Sequence, residues 1–151
     1  MEPTILVIDD DELLLGFLQE ILTKEGYKVH AFNSPVDGTE FLKKSAVDLV
    51  ISDVKMNEMT GDEVLAFTKE HRPETGVILI TGFGNINHAV RALHKGAFDY
   101  ITKPFKAKEI LFRVGRFFDE DVEDMPARKP ASGKPTSKEP VKEDAVSPTS
   151  K

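Results

Sequence analysis

Acidic, hydroxyl and basic side chains follow four short apolar runs of this 151-residue chain. Three aspartates at 9–11 come directly after the run at 5–8, and Asp53 follows the run at 49–51. Thr81 follows the run at 77–80, and Lys103 lies just past the run at 98–101. Parallel strands bring their carboxyl ends to one edge of a sheet, so we expect these side chains to converge there.

Such a group of side chains predicts phosphoryl chemistry assisted by a metal ion. Neighbouring carboxylates raise one another's pKa unless a cation neutralises them. The chain has no cysteine, and oxygen ligands favour a hard cation such as Mg²⁺. Asp53, beside that ion, Thr81 and Lys103, would be placed as a nucleophile toward a phosphoryl group. The alternative is that the aspartates at 9–11 only cap a helix, and Asp11 fits that interpretation.

The elements that would position these side chains alternate between strand and helix. The predicted strands cover 5–8, 27–31, 49–51, 77–80 and 98–101, and the predicted helices cover 12–25, 35–45, 62–71, 86–95 and 106–118. Helix signals include Ser34 before Pro35, and Gly26 and Gly96 as stops. The alternation predicts an α/β fold, a doubly wound five-stranded parallel sheet with helices on both faces.

Composition separates a domain at 1–118 from a tail at 119–151. Hydrophobic residues make up 40% of the chain and charged residues 30%, as in a globular domain. An acidic run begins at Asp119, and residues 126–151 contain five prolines. Little apolar surface is available there to offset ordering entropy, so we predict a disordered tail. The alternative is an interaction tail or a linker to a further domain.

Several classes of function are disfavoured by composition. The net charge of −6 leaves no basic excess for direct binding to nucleic acid phosphates. No apolar run reaches the roughly 18 residues of a membrane span, and the N-terminus lacks the pattern of a secretory signal. The absence of cysteine fits a reducing compartment. We therefore expect a cytoplasmic protein with no membrane contact.

The motifs at 5–11, 48–53, 80–82 and 97–105, in this order and spacing, resemble those of the receiver domain of bacterial two-component response regulators. The resemblance covers residues 3–118 and implies a flavodoxin-like strand order, 2-1-3-4-5. It also implies that Asp53 accepts phosphate from a histidine kinase or a phosphotransfer protein.

The resemblance further implies which residues bind a metal ion. Asp9, Asp10, Asp53 and the backbone carbonyl of Lys55 would bind Mg²⁺.

Three further positions match the phosphoryl-binding and switch residues of the family. Thr81 and Lys103 would bind the phosphoryl group, and Tyr100 would be an aromatic switch. The bond between Lys103 and Pro104 would be the cis peptide of the family.

The segment 81–96 resembles receivers of enhancer-binding transcription regulators. Those carry an ATPase and a DNA-binding domain after the receiver, which this sequence does not continue into. We therefore predict a single-domain response regulator, with a receiver fragment of a longer transcription regulator as the alternative. Its output would be a downstream protein, or a second copy in a homodimer, bound by helix 86–95, Tyr100 and helix 106–118.

Two other classes share parts of this pattern. A phosphohydrolase would need an acid two residues after Asp53, where Lys55 stands, so we predict a phosphoacceptor rather than an enzyme. A flavin or nucleotide site would need a phosphate-binding loop after the first strand, where three aspartates would repel phosphate. Phe83 predicts slow autodephosphorylation, because its bulk would hinder attacking water. All four histidines are expected to be surface residues.

Overall fold

The computed structural model describes residues 2–119, and the predicted tail beyond them lies outside this part of the chain. Its elements are β1 (Thr4–Ile8), α1 (Glu12–Lys24), β2 (Lys28–Phe32), α2 (Pro35–Lys44), β3 (Leu49–Asp53), α3 (Gly61–His71), β4 (Gly76–Thr81), α4 (Ile86–His94), β5 (Asp99–Thr102) and α5 (Ala107–Phe118). The five strands are parallel and lie in the order β2-β1-β3-β4-β5. The predicted fold class and strand order are confirmed.

The central strands form a sheet that is covered on both faces. Ile5 and Val7 of β1 pack with α1 and α5, and Leu6 and Ile8 pack with α2 and α3. All four are fully buried. Strands buried on both faces need apolar residues at every position, which explains the continuous apolar runs of the sequence.

The predicted element boundaries are shifted by one or two residues, with the largest shift at the end of β3. β3 extends to Asp53, because Asp53 still pairs with Ile80 in β4. Val54 N–H continues this pairing with a hydrogen bond of 2.9 Å to the carbonyl of Ile80. β5 begins at Asp99 rather than Phe98, and α4 ends at His94. Asp53 is thus a strand residue held by the ladder.

Local side-chain chemistry begins and ends the helices. Asp11 caps α1 by accepting from the N–H groups of the first turn, and Ser34 does the same for α2. Thr60 begins α3 with a complete capping box. Gly26 and Gly96 follow α1 and α4 with φ values of 100° and 107°, a conformation that glycine adopts without steric cost. In the described residues, no helix combines the length and apolar character needed to cross a bilayer.

Candidate phosphoacceptor and metal site

Three carboxylates meet at the carboxyl edge of the sheet. Asp9 and Asp10 follow β1, and Asp53 ends the neighbouring strand β3. Each offers an oxygen atom, and these three atoms lie within 4.8 Å of one another. Asp9 and Asp53 are only 1% and 7% exposed, and Asp10 is half-buried. The structure therefore brings together the three predicted carboxylates.

The Asp9 carboxylate is incompletely paired. Its Oδ1 accepts from the N–H of Asp11 at 2.9 Å, but its buried Oδ2 has no hydrogen-bond partner among the described residues. Burial raises the pKa of Asp9 to about 6; the Asp11 N–H opposes this rise and the charge of Asp53 adds to it. Buried acceptors are normally satisfied. An oxygen-liganded cation fits this position, because it would take up the unpaired oxygen and the excess negative charge.

Two opposing influences act on the charge of the Asp53 carboxylate. Burial disfavours the ionised form, and a nearby ammonium group favours it. Burial raises the pKa of Asp53, while the nearby charge of Lys103 lowers it without cancelling the rise. Lys103 Nζ lies 3.3 Å from Oδ1 of Asp53. One oxygen thus faces a cation, in an edge that is otherwise acidic.

The loop after β3 is tied to this edge by its backbone. Asn57 N–H donates to Oδ2 of Asp10 at 3.0 Å. Lys55 lies in the same loop, and its Nζ is 4.8 Å from the centroid of the Phe83 ring. That contact joins the loop after β3 to the loop after β4. Phe83 is itself 72% exposed, so the cation–π contact is a surface one.

Thr81 and Lys103 are connected through the backbone at the ends of β4 and β5. Lys103 N–H donates to the Thr81 carbonyl at 2.8 Å, and the peptide bond from Lys103 to Pro104 is cis. Thr81 is buried, and its Oγ1 accepts from the N–H of Phe83 at 3.0 Å. This bond orders the first turn of the loop that leads into α4.

Tyr100 has a partner that sequence reasoning missed, His88, which in turn contacts Asp62. Nδ1 of His88 lies 2.6 Å from the Tyr100 hydroxyl, and Nε2 of His88 lies 2.9 Å from Oδ2 of Asp62. The prediction of a surface position is wrong for His88, whose side chain is 18% exposed. One signal was present: His88 precedes the buried Ala92 by four residues, which places both on one face of α4.

Comparison with known proteins agrees with this geometry. The family model described as "Response regulator receiver domain" matches residues 5–115. The transcriptional regulatory protein GlrR of Escherichia coli (strain K12) is 42% identical over 110 residues, 73% of this chain. The DNA-binding transcriptional regulator NtrC of Proteus hauseri is 36% identical over 110 residues, again 73% of this chain. The chain spans only 24% and 23% of the lengths of these two relatives.

Solved structures show the same fold. A CheY-like receiver domain protein from Methanospirillum hungatei JF-1 superposes with a TM-score of 0.76 at 30% identity, covering 80% of this chain and 96% of that one. The beryllofluoride-activated NtrC4 receiver domain dimer gives a TM-score of 0.74 at 32% identity, covering 78% and 97%. Both likenesses extend over nearly the whole of the solved chain.

Proposed function

The chain belongs to the response regulator receiver domain family, and we propose that Asp53 accepts a phosphoryl group from the phosphohistidine of a sensor histidine kinase or a phosphotransfer protein. The observation that carries this proposal is the meeting of Asp9, Asp10, Asp53 and the Lys103 ammonium at one sheet edge. A carboxylate with these neighbours is equipped for phosphoryl transfer and has no need of a separate base.

In the proposed reaction, a carboxylate oxygen of Asp53 attacks the phosphorus atom. The bond from phosphorus to the imidazole nitrogen breaks, its electron pair leaves with the imidazole, and an acyl phosphate forms. Lys103 Nζ lies 3.3 Å from Oδ1 of the attacking Asp53 carboxylate, so its ammonium can stabilise the phosphoryl oxygens as charge develops on them. Thr81, at the end of the next strand, would donate its hydroxyl to the same oxygens.

Asp9, Asp10, Asp53 and the backbone carbonyl of Lys55 would hold Mg²⁺. The unpaired Oδ2 of Asp9 and the raised pKa of Asp9 support this assignment. When bound, the ion would neutralise the carboxylates and polarise the phosphoryl group. The chain's own contribution is to keep Asp9 and Asp53 in register through the pairing of β1 with β3.

The output would be the binding of another protein. Large apolar side chains are exposed on α4 and α5, namely Ile86, Val90, Leu93 and Phe112. Tyr100 lies in the strand between these two helices and would report phosphorylation to them. This face would bind a downstream protein or a second copy of the chain. The net charge of −6 disfavours direct contact with nucleic acid, and a two-component output of this kind would be cytoplasmic.

This activity is that of a phosphoacceptor that assists its own phosphorylation, rather than of an enzyme acting on a separate substrate. A phosphohydrolase with an aspartate nucleophile would need an acid two residues further on. Lys55 stands there, with its ammonium against Phe83.

The test is labelling with radioactive acetyl phosphate and Mg²⁺. We expect Asp53→Asn to abolish labelling, because the amide is not a nucleophile toward phosphorus. The matched control is Asp48→Asn, since Asp48 lies just before β3 and accepts from the N–H of Thr4 at 2.8 Å. Continued labelling of Asp53→Asn would refute the proposal. Chelation of divalent ions should also stop labelling of the wild-type chain, and undiminished labelling would refute the metal assignment.

A further inference from the structure

We propose that Asp62 and His88 are positioning residues for Tyr100, and that the link they form sets how readily the chain changes packing on phosphorylation. The link runs from α3 through α4 to β5, over residues that lie 26 and 12 positions apart in sequence. The inference rests on the proposed function, because it concerns the response to phosphorylation of Asp53.

With an ionised Asp62 and a neutral His88 ring, each hydrogen bond of the link has one possible direction. An ionised carboxylate only accepts, so Nε2 of His88 donates to Asp62, whose oxygens lie 2.9 and 3.0 Å away. In the neutral ring, Nδ1 then accepts from the Tyr100 hydroxyl at 2.6 Å. The two rings also meet edge to face, with centroids 5.2 Å apart at 73°. The link therefore fixes both the tautomer of His88 and the position of the Tyr100 hydroxyl.

Few other contacts hold α4 in place. Within α4, Ala92 is the buried residue, whereas Ile86, Val90 and Leu93 are 80%, 47% and 45% exposed. A helix with so little buried apolar surface gains little from packing. The side-chain hydrogen bonds of His88 to Tyr100 and Asp62 therefore add to the small apolar contact that α4 makes through Ala92.

The other end of the link lies beside the phosphoacceptor site. A methyl group built on Gly84 would lie 3.3 Å from the Tyr100 ring, 3.4 Å from the Thr81 methyl and 2.6 Å from the Thr102 methyl. Thr81 and Tyr100 therefore both lie close to the backbone of Gly84, where there is no room for a side chain. A movement of Thr81 toward a phosphoryl group would change the space available to Tyr100.

The described packing is the one that suits a free Asp53 carboxylate, because Lys103 Nζ lies directly against it. A phosphoryl group on Asp53 would take that ammonium onto its own oxygens. By holding Tyr100 and α4, the link stabilises the described packing against the alternative. A variant without the link should reach the phosphorylated packing more easily.

The experiment is a titration of the full chain with beryllofluoride and Mg²⁺, followed by proton–nitrogen NMR at the amide of Gly84. We expect His88→Leu to lower the half-maximal beryllofluoride concentration about tenfold, which corresponds to about 1.4 kcal/mol. Asp62→Ala should act in the same direction, and it serves as the second variant if His88→Leu does not fold. An unchanged or higher half-maximal concentration in the folded variants would overturn the proposal.

Two matched controls separate the link from a general loosening of the helices. His94→Leu changes the same residue type at an exposed position of α4, and Asp37→Ala removes an exposed first-turn acid from α2. Neither should shift the titration. In a Tyr100→Phe background, His88→Leu should have no further effect, since the hydroxyl it holds is already gone. Full additivity of these two changes would contradict a role through Tyr100.

Failure of the proposed function would look different. In that case the wild-type chain would not respond to beryllofluoride, or Asp53→Asn would respond as the wild type does. A normal wild-type response with no effect of His88→Leu would overturn the link alone.

Discussion

Helices α3 and α4 pack on the same face of the sheet but are held in different ways. α3 buries Val64 and Leu65 in the core, and its Thr68 hydroxyl bonds back to the carbonyl of Val64 at 2.8 Å. α4 buries Ala92, and its His88 forms hydrogen bonds with Tyr100 and Asp62. The proposed phosphoacceptor site thus lies beside a helix with several buried side chains, while the helix proposed to carry the output buries much less apolar surface.

Truncation of one leucine in each helix should give the largest contrast. We expect Leu65→Ala to lower the free energy of unfolding by about 3–4 kcal/mol, because Leu65 is 1% exposed and leaves a cavity. Leu93→Ala, at a site that is 45% exposed, should cost less than about 1 kcal/mol. Urea unfolding of both variants measures the difference. Equal losses would mean that α4 is held as firmly as α3.

The free energy of unfolding should also depend on pH, and this dependence should originate in Asp9. Its pKa rises from 3.8 to about 6 in the fold, so the folded chain binds a proton more tightly than the unfolded chain between these values. Without divalent ions, the free energy of unfolding should therefore fall by up to about 3 kcal/mol as the pH rises from about 4 to 6.

Urea unfolding across that pH range, with chelator present, checks this prediction. Asp9→Asn should flatten the slope, and Mg²⁺ should restore stability to the wild type at neutral pH. A wild-type stability that rises through the same window would contradict a raised pKa of Asp9.

A side chain added at Gly84, in the loop before α4, should have a smaller effect on stability. In Gly84→Ala the new methyl group would meet Thr102 at 2.6 Å, so we expect a loss of about 1–2 kcal/mol from overpacking. The control is Gly16→Ala in α1, where no atom lies within 4 Å of the new methyl group. Gly16→Ala should stabilise the helix by about 0.5–1 kcal/mol. Similar thermal unfolding of both variants would show that the residues around Gly84 move to accommodate the added methyl group.

The smallest effect is expected at the rim of the site. We predict that Phe83→Ala speeds loss of the phosphoryl group several-fold, because Phe83, in contact with Lys55, would no longer hinder attacking water. The decay of radiolabelled protein measures this rate. Ile86→Ala is the matched control, since Ile86 is also highly exposed but lies beyond the loop. Slower decay in Phe83→Ala than in the wild type would disprove the prediction.

Much of the fold could be predicted because its signals are local. Apolar runs identified the buried strands, and the caps at Asp11 and Ser34 identified helix starts, since each depends on neighbours within a few residues. The meeting of Asp9 and Asp53 also followed from sequence, because parallel strands bring their carboxyl ends to one edge. Element ends were less certain, as at β3, where the pairing of Asp53 with Ile80 extends the strand.

The sequence by itself determined the acids at the strand ends and the sheet that gathers them. Tertiary structure alone decided how those acids are buried, and so why the pKa of Asp9 is raised. It also decided that His88 contacts Asp62 and Tyr100. The burial of a side chain and its partners from distant parts of the sequence depend on how separate helices pack. No pattern within one segment contains that information. Periodicity can place His88 on the inner face of α4, but only the packing of α3 and β5 against it selects its partners.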